Sequence, residues 1–411
     1  MRVLTTNCAL SGRSGTEVVT IDLASGLRHR GHEVAVFAPL LGRSAVNLRG
    51  RGVTVTDRLE DLPWTPDIIH GNHNHVLAAA MAHFPASPGL FVCHSASYWF
   101  DGPPSLPRVR MLCAVDEACR ARVVAETGRL AGEVVLLLNA VDTALFTPRD
   151  PLPARPARAL LLAKNTAHVA AVRDAAGQAG LALDEVGTAF GREIEDLHVQ
   201  LKRYDLVFAS ARMALEAMAV GCAVIVVDGR GLAGLATAAT LDTWRERNFG
   251  VSVLTRPITA EAIATEIERY DAADAAVVSR RIRDVAPLSA YLDRVEALHR
   301  DIVASPCEAD CAADLRATGL FMAQWLRRLG EGTIPENFDR LQEANRFAAE
   351  HRALVDKNES LRRTCDDALA RAKAMELEIE GLASELTLLR SPLDALRYHA
   401  AAWRERRFRR K

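Results

Sequence analysis

Two stretches of this sequence combine residue types and spacing that suit an anionic ligand. Gly12-Arg13-Ser14-Gly15-Thr16-Glu17 follows a short apolar run and opens an amphipathic segment. Small residues there let backbone N–H groups approach an anion, and the first turn of a helix adds partial positive charge suited to phosphate. The same residues also fit an ordinary tight turn, because the spacing is neither Gly-x-Gly-x-x-Gly nor a Walker A loop. The second stretch, Tyr204 to Ala219 (YDLVFASARMALEAMA), reads as strand, loop and helix. A helix starting after Ser210 at the carboxyl end of a parallel strand points its N-terminus into the crevice where α/β domains bind ligands. Glu216 stands in its second turn among Ala214, Leu215, Ala217 and Met218, and a carboxylate in such company needs a donor. The two hydroxyls of a ribose would serve, and so would Arg212, four residues earlier on the same helix face.

Metal chemistry finds less support. His70, His73 and His75 invite a zinc reading, but no carboxylate or Cys follows at ligand spacing. Cys307 and Cys311, at i and i+4, lack a second pair and read as packing or helix-surface thiols. Asp366-Asp367 reads as a solvated helix face, and no Asp-x-Asp loop follows a strand. No metal site and no cofactor are therefore expected.

These residues need a scaffold to hold them. The chain has 411 residues, 49% apolar, with 51 Lys plus Arg against 52 Asp plus Glu, which excludes disorder as the main state and bulk electrostatic attachment to nucleic acid. The eight cysteines are scattered and several lie in apolar runs, as free thiols of a reducing compartment do. MRVLTTNCAL lacks the continuous apolar stretch of a signal peptide. Residues 68–100 carry no Asp, Glu, Lys or Arg, yet Pro85, Pro88, Gly89 and the histidine cluster are unsuited to a membrane span. That stretch reads as strand, helix, strand in a globular core.

Residues 1–148 alternate short apolar strands with amphipathic helices, the pattern of a parallel sheet covered on both faces. Residues 149–158, rich in proline, form a stiff linker, after which strands at 159–165, 181–187, 204–210, 223–229 and 250–255 repeat the pattern through 304. A helical extension covers 305–346. From 347 to 391 a heptad follows, with Phe347, Leu354, Leu361, Ala368, Met375, Leu382 and Leu389 at one core position and His351, Asn358, Cys365, Ala372, Ile379 and Leu386 at the other. The fold class expected is thus α/β, two consecutive Rossmann-like domains followed by a helical coiled coil. In the tail, residues 392–411, the last fifteen positions hold seven basic residues and one acidic, a net of +6. Leu393, Leu396, Tyr398, Trp403 and Phe408 among those arginines suit an anionic membrane surface, and a solvated tail or a nucleic-acid contact fits the same charges.

Several segments, in order over about residues 1–300, carry a resemblance: the opening through HEVAVFAP, PDIIHGNHN, LFVCHS, NAVDTALFTP and LEAMAVGCAVIV. They resemble the GT-B nucleotide-sugar glycosyltransferases, family 4 in particular. The resemblance implies a metal-independent transferase with its active site between the two domains. It implies that Gly12 and Gly15 form the glycine turn near donor diphosphate and acceptor, that His94 borders the reacting sugar, and that Glu216 holds the donor ribose. Lys164 falls where the family has a diphosphate-contacting Arg. Ser210 and Arg212 complete the donor side. Two features depart from the family: Phe208 stands where its first motif glutamate would be, and Asn165, Thr166, Ala167 and His168 offer no second lysine. The shortened Ser-rich loop resembles instead the lipid-linked peptidoglycan-precursor transferases.

The expected function is transfer of a sugar from a nucleotide diphosphate donor to an acceptor hydroxyl, saccharide or lipid-linked, in cell-surface glycan assembly. The expected setting is the cytoplasm, as a homodimer through the coiled coil, with the tail permitting a peripheral position on the inner face of the plasma membrane. A helix folded back on its own body is the alternative to dimerisation. A degenerate transferase fold acting as a scaffold through its coiled coil is the alternative to catalysis.

Overall fold

The computed structural model describes residues 1–12, 14–192, 196–305, 310–328, 334–389 and 392–408. The side chains of Cys311, 334–356, Glu359, 388–389 and Phe408 lie outside that description, so the heptad positions Phe347, His351, Leu354 and Leu389 and the cysteine pair 307/311 do too. The chain divides into two compact units, Met1–Trp325 and Leu326–Lys411.

In the first unit, apolar runs become strands because helices cover both sheet faces and leave no solvent side. One sheet is built from β1 (Arg2–Thr6), β2 (Glu33–Phe37), β3 (Thr54–Thr56), β4 (Ile68–Asn72), β5 (Gly89–Cys93), β6 (Val109–Ala114) and β7 (Val134–Leu136). Its order is β3-β2-β1-β4-β5-β6-β7, all parallel, so strand order reverses between β1 and β4. Ligands bind α/β sheets at such reversals, outside the carboxyl ends of the strands. The histidine-rich segment enters the core as β4 and the helix Asn74–His83, every residue of β4 being buried.

The second sheet contains β8 (Arg158–Leu162), β9 (Ala182–Val186), β10 (Leu206–Ala209), β11 (Ala223–Asp228) and β12 (Gly231–Leu235). Its order is β9-β8-β10-β11-β12, the first four parallel and β12 antiparallel. The reversal here lies between β8 and β10, the strands that lead to Lys164 and Ser210. The strand expected at 250–255 is instead a short 3-10 turn, Val251–Val253. Asn248 and Phe249 both adopt left-handed backbone, φ 48 and 53, which places the Phe249 ring fully in the core and prevents an extended run.

Helix α1 (Gly15–His29) follows β1, and α2 (Leu288–Ala304), a long helix after the second sheet, returns to the first sheet. Its Leu292, Val295, Leu298 and Ile302 join the core of β1 to β7. Gly26 in α1 makes room for the crossing, since a Cβ there would run into the Leu292 side chain as it stands. Arg30 then binds Asp293 and Glu296 at 2.7 and 3.0 Å. His70 meets His299 at 3.0 Å in the buried interior.

The second unit contains α3 (Ile334–Leu389) and α4 (Pro392–Phe408). On α3, Leu361, Met375, Leu382, Ile379 and Leu386 are exposed, as are Leu393, Leu396 and Trp403 on α4. Tyr398 bonds to Glu385, and Arg407 lies over the Trp403 ring, 5.0 Å from its centroid. Among the described residues no helix is long and apolar enough to cross a membrane.

Candidate functional site

The glycine turn is organised by a capping box. Ser14 caps α1 by accepting from the Glu17 N–H, and Glu17 reaches back over the turn. Its Oε1 accepts from the Ser11 and Gly12 amides at 2.6 and 2.8 Å, and Oε2 from the Ser14 amide at 2.7 Å. These amides were the expected anion cradle, and Glu17 occupies them. The first helical turn retains the Gly15 and Thr16 N–H groups, which have no intrahelical acceptor by the geometry of a helix start. A Cβ at Gly15 would meet nothing within 4 Å, so this end is open.

The opposite wall comes from the second half. Lys164 follows β8, and the helix α5, Ala211–Val220, follows β10. Helix spacing brings Arg212 and Glu216 together as the sequence allowed: Arg212 Nε donates to Glu216 Oε1 at 3.0 Å. Arg212 also donates to Asp22 of α1, so one buried guanidinium ties the two halves together. Burial opposes the charge on Arg212, but the Asp22 and Glu216 carboxylates raise its pKa. Lys164 has its pKa lowered by desolvation within the cleft walls and by Arg230, with Glu216 and Asp228 pulling the other way.

Between these walls lies a cleft of about 390 Å³, lined by Gly12, Gly15, Lys164, Arg212 and Glu216 among others. Five of the seven expected site residues therefore share one cavity. A somewhat larger depression, about 460 Å³, runs beside the linker. There Arg149 already binds Asp205 and Arg283 the carbonyls of Thr143 and Phe146, so it offers less free chemistry.

Ser210 and His94 do not line the cleft. The Ser210 hydroxyl donates to Asp228 at 3.0 Å rather than capping its helix. His94 Nε2 contacts Asn72 Oδ1 at 2.8 Å, and burial pushes its pKa down to about 4. The ring is thus neutral near pH 7.

At the carboxyl ends of β1, β4 and β5 a second group of polar side chains assembles. His73, at a left-handed φ of 63, accepts from the Cys8 amide through Nδ1 at 3.2 Å, which leaves the proton on Nε2. Nε2 lies 3.9 Å from both Cys8 Sγ and Asp101 Oδ1. Burial pushes the Asp101 carboxyl up to about 7, and its Oδ1 is buried without a hydrogen-bond partner among the described residues. Such a carboxyl can exchange a proton near neutrality. Beside it Tyr98 stacks on Phe100 with ring centroids 5.3 Å apart, and Tyr98 is 61% exposed.

Sequence reasoning missed Asp22, Asp101, His168, Asp228 and Arg230. Glu17 had a readable signal, the Ser-x-x-Glu spacing of a capping box. Asp228 ends a recognised strand at its carboxyl end, and Arg230 follows two residues later. Asp22 and Asp101 had none, since their partners lie far away in sequence.

No protein-family model matches this chain, and no curated protein is similar to it in sequence. Solved structures share its fold. A glycosyltransferase from Rickettsia africae ESF-5 superposes with a TM-score of 0.53 at 13% identity, covering 74% of this chain and 99% of that one. Anabaena HepE, solved in complex with UDP and glucose, gives 0.51 at 16% identity, covering 72% and 98%. The paired Rossmann-like halves, the cleft between them and these neighbours make the fold GT-B.

Proposed function

We propose that this chain is a glycosyltransferase that moves a sugar from a nucleotide diphosphate donor to an acceptor hydroxyl. The observation that carries this reading is the cleft in which the start of α1 faces Lys164, Arg212 and Glu216. Glu216 has one oxygen on Arg212, and its other oxygen is the acceptor offered to a ribose hydroxyl. Lys164 and the Gly15 and Thr16 amides would stabilise charge developing on the leaving diphosphate without a metal. His94, neutral and turned to Asn72, is suited to orient the donor sugar by hydrogen bonding rather than to act as an acid. The acceptor side, with Asp101 and the exposed Tyr98, fits a saccharide or lipid-linked hydroxyl. Exposed apolar residues on α3 support a homodimer, and Trp403 among arginines on α4 supports a peripheral position on an anionic membrane face in cell-surface glycan assembly.

The test is a donor screen that reads release of nucleoside diphosphate in the presence of lipid and saccharide acceptors, with thermal shift by UDP, GDP and ADP beside it. Turnover with one donor is expected. Indifference to every donor and nucleotide would favour the scaffold alternative.

A further inference from the structure

We propose that Arg230 is a second cation of the anion site, joining Lys164 to grip the diphosphate of the donor. This rests on the nucleotide-sugar reading above and adds to it a residue that no recognised motif contains.

The placement follows from the sheet. Strands β8, β10 and β11 are adjacent and parallel, so Lys164, Ser210 and the turn Asp228-Gly229-Arg230 emerge side by side at one edge. The turn lies directly on the segment that carries Lys164: a Cβ on Gly229 would run into the Asn165 side chain as it stands. Arg230 is held in a fixed orientation. Its Nε and Nη2 donate to Asp228 at 3.2 and 2.6 Å, and its backbone N–H to the same carboxylate at 2.8 Å. Asp228 is itself buried and anchored by the Ser210 hydroxyl. That arrangement leaves Nη1 without a hydrogen bond among the described residues on a side chain that is 57% exposed.

A plain surface ion pair would not need a buried carboxylate, anchored by a neighbouring hydroxyl, to aim it. Two further features point to a ligand. Lys164 and Arg230 lie within electrostatic reach of each other, an arrangement an anion between them would relieve. His168, on the same loop after β8, is fully buried, and neither ring nitrogen has a partner among the described residues. It stands at the start of the helix that follows that loop, so a buried ring without a partner sits beside the same strand ends. The chemistry that matches is a diphosphate: Lys164 serves one phosphate as a point charge, and the guanidinium edge of Arg230 serves the other with directional N–H bonds.

The experiment is calorimetric titration of the full chain and of Arg230→Gln with UDP, GDP and ADP, their monophosphates, and inorganic pyrophosphate, with a thermal melt of each variant. For the nucleotide the wild type binds, R230Q should weaken the diphosphate about 10- to 100-fold, the range for hydrogen bonds to a charged group, and the monophosphate under about 3-fold. Pyrophosphate binding that falls with the same substitution supports anion recognition independent of the nucleoside. Arg230→Lys should recover part of the diphosphate preference, and it decides the question if R230Q melts without cooperativity. Equal diphosphate affinity in wild type and a folded R230Q would overturn the role of Arg230 while leaving the donor site intact. Equal losses for mono- and diphosphate would do the same. A wild type that binds no nucleoside diphosphate would remove the donor reading and Arg230 with it.

Discussion

Glu216→Ala separates binding from folding, because the structure shows what the substitution leaves behind. The carboxylate is buried and accepts from Arg212, but Arg212 also binds Asp22. Removing Glu216 therefore leaves the buried guanidinium with a carboxylate partner. The opposite deletion, Arg212→Leu, leaves the buried Glu216 carboxylate and the partly buried Asp22 without their cation and should cost about 3 kcal/mol of stability. For Glu216→Ala the stability loss should stay within about 1–2 kcal/mol, the worth of one hydrogen bond and a small cavity. The affinity loss should be larger than that loss suggests. A ribose hydroxyl bonded to a carboxylate contributes about 1.5–3 kcal/mol, so the Kd for nucleoside diphosphate should rise about 10- to 100-fold. Titration calorimetry on the folded variant, with its melting midpoint measured in parallel, gives both numbers. Unchanged nucleotide affinity in a folded variant would remove Glu216 from the site and assign it to holding Arg212 alone.

Lys164→Ala should lower turnover through the donor, and EDTA should leave the wild-type rate intact; strict dependence on a divalent ion would overturn the metal-free mechanism. His70 and His299 both have pKa values lowered by burial, the latter to about 3, so each is neutral in the fold and takes up a proton on unfolding. Stability is then present above the ordinary histidine value of 6.5 and falls as pH drops below it, by up to about 1.4 kcal/mol per pH unit for each such histidine. Urea titrations at pH 7.5 and 5.5 should show that loss, and a flat profile would contradict the buried pair. For the carboxyl-terminal unit, light scattering should give a dimer for the full chain and a monomer after truncation following Leu329. Removing residues 392–411 should abolish salt-sensitive binding to anionic vesicles, where each basic residue near the surface adds about 1 kcal/mol. Dimerisation by the truncated body, or vesicle binding that survives loss of the tail, would refute the matching half.

Much of the candidate site was legible before the fold was known, because strand ends and helix starts are local events. A run such as ALLLAKN places Lys164 just past a strand, and Arg212 with Glu216 needs only the helical repeat. The glycine turn was read correctly as a helix start, but its amides were misassigned: Glu17, three residues beyond Ser14, takes them as acceptor. His70 and His73 were grouped by proximity in sequence. In the fold they part, since successive β and loop positions face different elements: His70 meets His299, and His73 meets Cys8 and Asp101.

By itself the sequence determined two successive α/β halves built on largely parallel sheets, a long helix near the carboxyl end and the strand ends from which the candidate site residues emerge. Apolar period, turn residues and helix caps act within a few residues, so those features need no knowledge of the rest of the chain. Only the tertiary structure decided that Asp22 would hold Arg212 across 190 residues, that Leu292 would pack on Gly26, and that Asp228, anchored by Ser210, would hold Arg230. Those pairings are fixed by which strands lie side by side and by where the return helix crosses, and burial then forces each charged group to find a partner from whatever the packing has brought near.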